Sequence, residues 1–259
     1  MLFASLLLLP LSVTFLALSC EDASSVSFPC SAMGKHPRCP KWLRVGTYFS
    51  GLDVPVLSLR RLGRKHRHVF SVDKELHCRT FLRAVLKPDE LHGEVSDVDP
   101  ADLPDTDYFH FSPPCIDFSN NGKRLGDNVQ SGRLYEHGLA YIRAHLPRLV
   151  TFENVYALSF KAHRHILKAI RRELLALGYE VTLSCMEQSQ HGVPCKRRRV
   201  LLVAGRAGEG GGFTREFTWP QPVPFKYTAA DVIAKCPTDD PHRLPLRGEA
   251  SEISGGACL

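Results

Sequence analysis

The feature that most constrains this chain is a regular alternation of strand-like and helix-like segments between Trp42 and Arg206. The strand-like segments are short and apolar, and they read LRVGTYFSG, HVFSVD, TDYFHFS, LVTFENV, YEVTLSCME and RRVLLVAG. The helix-like segments between them are PVLSLRRLG, ELHCRTFLRAVL, RLYEHGLAYIRAHL and HRHILKAIRRELLALG. Apolar strands that alternate with helices are typical of a mostly parallel sheet covered by helices on both faces. The sequence therefore predicts an α/β fold.

The regions that flank this alternating part have a different character. Residues 1–22 form a signal-like apolar segment, 23–41 a polar linker, 42–206 the predicted domain and 207–259 a loop-rich tail. The apolar start resembles the central region of a signal peptide, but no Lys or Arg precedes it and Pro10 interrupts it. A secretory signal, the first half of an organelle-targeting sequence and a wrongly assigned start are all compatible with it.

Charge and cysteine usage narrow the class of protein. The formal net charge of +6 allows a polyanionic partner without requiring one. The nine cysteines include no Cys-x-x-Cys pair, so neither a zinc ribbon nor a thioredoxin motif is supported, and no metal site is predicted. Their spacing and the α/β pattern also argue against a secreted disulfide scaffold. Free thiols in a reducing compartment fit best.

Cys115 stands out because two prolines precede it directly after a predicted strand, in FSPPCIDFSNNG. Proline fixes φ and donates no backbone hydrogen bond, so the pair ends the strand and stiffens the loop. Cys115 is therefore predicted at the carboxyl end of a strand, where ligands gather in open α/β sheets. On this stretch alone, a small buried cysteine is the more common interpretation.

The order of the motifs decides between these two interpretations. The segments YFSGLDVP, FSVD, SDVD, SPPCIDFS, GRLYEHGLAYIRAHLPRLVTFENV and QHGVPCKRRRVLLVAGR follow one another along the chain. In this order they resemble the catalytic half of the cytosine-C5 DNA methyltransferase family over about residues 44–206. The part from Pro113 to Arg206 is the most specific, because PPC, ENV and a P-x-x-R-x-R segment occur there together. The resemblance implies a Rossmann-like methyltransferase sheet, S-adenosylmethionine as methyl donor and duplex DNA as substrate.

The resemblance also implies which residues act on the base. Cys115 is the nucleophile that adds to carbon 6 of a cytosine flipped out of the duplex. Glu153 binds ring N3 and the exocyclic amine, which makes carbon 6 more electrophilic. Arg197 and Arg199 lie on the same face of their strand, where they contact the base O2, the catalytic loop or the DNA backbone.

The cofactor residues follow from the same resemblance. The turn after the first strand supplies Phe49, Ser50, Gly51 and Leu52, and its glycine suits close approach of a cofactor. Asp73 matches the acid that binds the ribose hydroxyls, and Asp97 with Val98 matches an acidic-aliphatic pair that contacts adenine. Pro114 and Leu134 are assigned to the same pocket. Taken alone, each acid is also typical of a solvated loop, and Leu134 is also typical of simple core packing.

Several departures from the family pattern keep alternatives open. The first motif lacks its usual carboxylate, and Ile116 and Cys195 stand where glutamine is common. The residues after WPQPVP leave no space for a target-recognition domain, so we expect a truncated product, an incomplete gene model or a half-enzyme that needs a complementing chain. A tRNA cytosine-C5 methyltransferase and a catalytically inactive nucleic-acid-binding remnant are the alternatives. DNA as substrate favours the nucleus or an organelle as compartment.

Overall fold

The computed structural model describes residues 42–114, 133–193, 195–206 and 217–223, and these form one seven-stranded sheet with the order β3-β2-β1-β4-β5-β7-β6. The strands are β1 (Leu43–Tyr48), β2 (His66–Val72), β3 (Glu90–His92), β4 (Tyr108–Phe111), β5 (Leu149–Val155), β6 (Tyr179–Glu187) and β7 (Arg198–Arg206). Strands β1 to β5 pair in parallel, whereas β7 runs antiparallel to both of its neighbours. The predicted α/β class with a mostly parallel sheet is confirmed.

Helices cover both faces of this sheet, also as predicted. They are α1 (Val54–Arg61), α2 (Leu76–Phe81, continued by a π-helical turn over Leu82–Leu86), α3 (Tyr135–His145) and α4 (Arg164–Ala176). On one face, α1 and α2 bury Val56, Leu59 and Leu82 against Val45 and Tyr108. On the other face, α3 and α4 bury Leu139, Ile142, Ile166 and Ile170 against the aromatic side chains of β2, β4 and β5.

Gly138 sets how closely α3 approaches the sheet. A Cβ atom at this position would lie 2.4 Å from the ring of Phe111, which is fully buried and stacked on Phe109. Real Cβ atoms do not approach carbon so closely, so glycine is what allows α3 to sit against β4. The helix in turn carries Leu134 at its N-terminal end.

The order of the strands marks one edge of the sheet as the place for a ligand. The chain builds outward from β1 to β3, then returns to the other side of β1 with β4. At such a reversal, the loops that follow the two central strands separate and leave a crevice at the carboxyl edge. At the start of the two loops, the amide of Ser112 donates to the carbonyl of Tyr48, at 3.3 Å.

The remaining described segment, residues 217–223, lies against β6 and β7. Trp219 packs on Met186 and Leu201, and its indole donates to Thr182 Oγ1 at 2.9 Å. The signal-like segment 1–22, the linker 23–41 and Cys115 lie outside the described residues, as does most of the tail. Among the residues that are described, no helix is long and apolar enough to cross a bilayer.

Candidate active site at the carboxyl edge of the sheet

Glu153 occupies the carboxyl end of β5 and is only 7% exposed. Ser112, which follows β4, donates its hydroxyl to Oε2 of Glu153 at 2.7 Å. Arg199 reaches the same carboxyl group from β7, with its Nε 2.9 Å from Oε1. Three strands therefore converge on one acidic side chain, which explains how a charged group is held in a mostly buried position.

The two oxygens of this carboxyl group are not equivalent. Oε2 accepts the Ser112 hydroxyl, whereas Oε1 is buried and accepts no hydrogen bond from any described residue. Arg199 supplies charge beside Oε1, but its N–H is not directed at that oxygen. A buried acceptor that lacks a hydrogen bond costs free energy, roughly 1–3 kcal/mol, unless a ligand satisfies it. Oε1 is thus the atom of this site that is best placed to bind a ligand.

Asn154 connects the end of β5 to the loop after β4. Its Nδ2 donates to the carbonyl of Pro113 at 3.1 Å, and its Oδ1 accepts the amide of Val155 at 2.9 Å. Pro113 is buried and Pro114 is half-buried. The structure thus fixes the segment that leads directly into Cys115, while the position of Cys115 stays a prediction.

The basic residues before and within β7 alternate in burial. Arg197 and Arg199 are half-buried, whereas Lys196 and Arg198 are exposed. Arg199 faces Val155 in the β5–β7 register, which directs it towards Glu153. Arg198 points the other way and pairs with Glu187 at 2.7 Å. Of the two predicted arginines, Arg199 is the one that the structure brings to the acid.

The predicted cofactor turn after β1 is tightly wound. Phe49 and Gly51 have φ values of 56° and 55°. The amide of Gly51 donates to Oδ2 of Asp73 at 2.7 Å, and Oδ1 of Asp73 accepts the amide of Glu75 at 2.8 Å. Asp73 therefore braces the turns after β1 and β2 against each other, a contact that the sequence did not indicate.

Asp53 is a functional candidate that sequence analysis missed. It has no exposed surface and is the N-cap residue of α1, its side chain makes no capping hydrogen bond, and its φ of 51° is in the left-handed region. Its Oδ2 lies 2.6 Å from Thr47 Oγ1, 2.8 Å from Ser71 Oγ and 3.1 Å from His68 Nε2. Burial acts to raise the pKa of the Asp53 carboxyl, but the contacts with His68, Thr47 and Ser71 outweigh it and lower that pKa. This ionised hub holds the cofactor turn onto β1 and β2. The available signal was an acid directly before a Val-Pro helix start.

The other predicted cofactor residues surround the same edge. Phe49, Val98 and Leu134 are partly buried and pack against the large core cluster, so part of each apolar side chain stays accessible. Asp97 is exposed at the end of the short 3-10 turn Val95–Asp97, and Leu52 is half-buried. A Cβ at Gly51 would meet nothing within 4 Å, so the space beside that turn is open. An apolar floor, open space and an acid after β2 fit an adenosine-like group in chemical type.

Within the described ranges, no cluster of three metal-ligating side chains occurs, so the site is built from acids, arginines, hydroxyl groups and backbone amides.

Comparison with known proteins gives a consistent result. The family model described as C-5 cytosine-specific DNA methylase matches residues 43–244. The chain is 29% identical over 177 residues to the Type II methyltransferase M.HaeII of Haemophilus aegyptius, covering 68% of this chain and 52% of that relative. It is 26% identical to M.MthTI of Methanothermobacter thermautotrophicus, covering 76% and 58%. The chain thus spans about half the length of these curated relatives.

Solved structures agree on the fold. The S. pombe Dnmt2 methyltransferase superposes with a TM-score of 0.52 at 20% identity, covering 68% of this chain and 51% of that one. A Spodoptera frugiperda DNMT2 variant gives 0.53 at 18% identity, covering 71% and 55%. The sheet described above is therefore a Rossmann-like methyltransferase sheet.

Proposed function

Because the chain belongs to the C-5 cytosine-specific DNA methylase family, we propose that it transfers a methyl group from S-adenosylmethionine to carbon 5 of a cytosine in DNA. The observation that carries this proposal is the carboxyl group of Glu153. It is buried and held by Ser112 and Arg199, and its Oε1, although Arg199 Nε lies 2.9 Å away, accepts no well-directed hydrogen bond from a described residue. A cytosine presents an N–H at its exocyclic amine, which is the donor that such an oxygen lacks.

Glu153 would bind the Watson–Crick edge of a cytosine that has left the base stack. One oxygen accepts the exocyclic amine, and a protonated carboxyl group can donate to ring N3. The donation to ring N3 draws electron density from the ring and makes carbon 6 more electrophilic, whereas the contact with the exocyclic amine fixes the orientation of the base. Ser112 and Arg199 keep the carboxyl group in one orientation, so this polarisation needs no rearrangement when the base arrives.

Cys115 is proposed as the nucleophile. Its thiolate adds to carbon 6, the ring becomes enamine-like, and carbon 5 then attacks the donor methyl group. Loss of the carbon 5 proton to a base expels the thiolate and restores the ring. Asn154 supports this assignment, because it anchors Pro113 only two residues before Cys115 and beside Glu153.

S-adenosylmethionine, when bound, supplies a methyl group on a sulfonium centre that leaves as a neutral thioether. Phe49, Val98 and Leu134 would pack against the adenosine, and Asp73 would accept the ribose hydroxyls. The brace between Asp73 and Gly51 leaves each carboxylate oxygen with a further lone pair for this purpose. Asp97 is exposed and offers an acceptor at the rim.

The test is covalent trapping with 5-fluorocytosine, which has no proton on carbon 5 and therefore stops the reaction at the adduct. The full chain is incubated with S-adenosylmethionine and either duplex DNA or tRNA that carries this base, and adducts are resolved on denaturing gels. We expect an adduct with DNA that is lost in Cys115→Ala and strongly reduced in Glu153→Gln. Glu90→Gln, a change at an exposed carboxylate in β3, serves as the matched control and retains the adduct.

An adduct with tRNA alone would contradict DNA as the substrate but would still support covalent attack on a cytosine. No adduct with either nucleic acid would refute activity of this chain and favour an inactive remnant or a half-enzyme. Retention of the adduct in Cys115→Ala would refute the assignment of the nucleophile.

A further inference from the structure

The solvent-exposed face of α4 carries a cluster of basic residues that have no role in the proposed site. Lys161 precedes the helix, and Arg164, Lys168, Arg171 and Arg172 follow along it, and all five are exposed. At about 100° per residue, the four helical cations fall within an arc of roughly 100°. We call these five residues the basic ridge.

The basic ridge is not neutralised by neighbouring acids. No carboxylate of the described residues forms an ion pair with any of its five cations. The first acid along the helix, Glu173, pairs instead with Arg143 of α3. Residues 161–172 contain no acid at all, and their five charges compare with a net charge of +6 for the whole chain. Repulsion among unpaired like charges makes such a face costly unless a polyanion covers it.

The basic ridge begins at the candidate active site. Helix α4 follows β5 through the 3-10 turn Tyr156–Ser159, so its N-terminal end lies at the carboxyl edge of the sheet. Arg198 lies 5.5 Å above the ring of Tyr156, and that ring contacts Phe160 at 5.3 Å between centroids. Phe160 is itself 49% exposed, and its carbonyl accepts the amide of Arg164. A strip of cationic and aromatic groups therefore connects β7 to the ridge.

We propose that the basic ridge binds the phosphate backbone of the substrate duplex beyond the target cytosine. From Arg164 to Arg172 the helix rises about 12 Å, a length that matches three to four phosphates of one DNA strand at roughly 3.4 Å of duplex axis each. Contacts from Lys and Arg to phosphate oxygens carry no sequence information. In this role the ridge contributes affinity and orientation without sequence preference. This inference rests on DNA as the substrate of the proposed function.

The experiment compares two triple variants of the full chain. In the ridge variant, Lys168→Gln, Arg171→Gln and Arg172→Gln remove three cations. In the control variant, Arg61→Gln, Lys65→Gln and Arg83→Gln remove three exposed cations from the opposite face, which also form no ion pair with a described residue. Affinity for a 30-base-pair duplex is measured by fluorescence anisotropy at several salt concentrations, with circular dichroism to compare folding.

We expect the ridge variant to bind the duplex at least tenfold more weakly, and the slope of log K against log salt to decrease by about 2–3. The control variant should stay within about twofold of the unchanged protein. Equal affinity and slope in the two variants would overturn the proposal. A salt slope that decreases in the ridge variant, together with no cytosine adduct in the trapping experiment, would instead refute the proposed function. It would still support binding of DNA by the basic ridge. No binding of duplex by the unchanged chain would overturn the ridge proposal.

Discussion

Replacing the buried carboxylate of Asp53 by an amide should destabilise the protein and loosen its cofactor turn. Asp53→Asn keeps the size and shape of the side chain but removes its charge. The charged oxygen lies within 3.1 Å of three groups, from Thr47, Ser71 and His68. These three come from β1 and β2, so the change acts where the two strands meet the turn that carries Gly51.

The size of the effect follows from these contacts. A hydrogen bond to a charged group contributes about 1.5–3 kcal/mol and one between neutral groups about 0.5–1.5, so each of the three contacts loses about 1 kcal/mol. The other carboxylate oxygen of Asp53 has no hydrogen-bond partner among the described residues, so the new amide would gain none there. We therefore expect a loss of about 3 kcal/mol in the free energy of unfolding, a factor of roughly 100 in the folding equilibrium.

The pH dependence gives an independent check. The pKa of Asp53 is lowered in the folded protein, so the charged form stabilises the fold fully above the ordinary pKa of about 3.9. That contribution is lost as the pH falls from this value through the lowered pKa of the folded state. Asp53→Asn has no such group, so its stability should decline less steeply below pH 4.

Urea unfolding followed by circular dichroism at pH 7 and at several acid pH values measures both effects. The matched control is Asp89→Asn, the same chemical change at a half-exposed carboxylate that pairs with Arg67, and it should cost less than about 1 kcal/mol. If Asp53→Asn is as stable as the unchanged protein and has the same acid profile, the ionised hub does not exist as described.

Three further outcomes follow from other parts of the fold. Gly138→Ala should lower stability by about 1–3 kcal/mol despite the better helix propensity of alanine, because the new Cβ would overlap the buried ring of Phe111; urea unfolding measures it. Burial lowers the pKa of His110 to about 4. Between about pH 6.5 and 4 the unfolded chain therefore binds a proton at His110 that the folded protein does not bind, so the free energy of unfolding should decrease as the pH falls through this range. His110→Gln should flatten that part of the profile. Trp219→Phe and Thr182→Val should each cost about 1 kcal/mol, and the double variant little more, because they remove one shared hydrogen bond.

Each of these has an outcome that contradicts it. For Gly138, the reference is Gly63→Ala, where a Cβ meets nothing within 4 Å and only the φ of +63° is unfavourable. An equal or smaller loss at Gly138 would mean that α3 can move away from β4. An unchanged profile in His110→Gln would mean that another group titrates in that window. Additive losses at Trp219 and Thr182 would show that the two side chains act separately.

The fold was largely predictable because its strands and helices differ in periodicity. Within the described ranges, the apolar runs located six of the seven strands and all four α-helices. β3 was missed because Glu90–His92 has three residues and one apolar side chain, too few for a pattern. The reversed direction of β7 was not predicted either. The apolar pattern of a strand does not indicate whether it runs parallel or antiparallel to its neighbours. Only the pairing of β7 with β5 and β6 shows its direction.

Only those residues of the candidate site that belong to a recognisable sequence motif were predictable. Glu153 and Arg199 were assigned from their motifs, and the structure brings them within 2.9 Å of each other. The contacts of Ser112, Asp53 and Asp73 depend on where separate loops meet, which no local pattern contains. Ser112 and Asp53 also look ordinary in sequence, since a serine and an acid are common in turns.

The position of β7 has a consequence for how the protein acquires its active site during synthesis. β7 lies between β5 and the edge strand β6, so β6 cannot join the sheet until residues 198–206 have left the ribosome and paired with both strands. Domains form from the N-terminus during translation, and long-range pairing of this kind is slow. Arg199 arrives with β7 and supplies the cation that pairs with Glu153 within the described part of the chain. Formation of the Glu153–Arg199 pair is thus coupled to completion of the sheet.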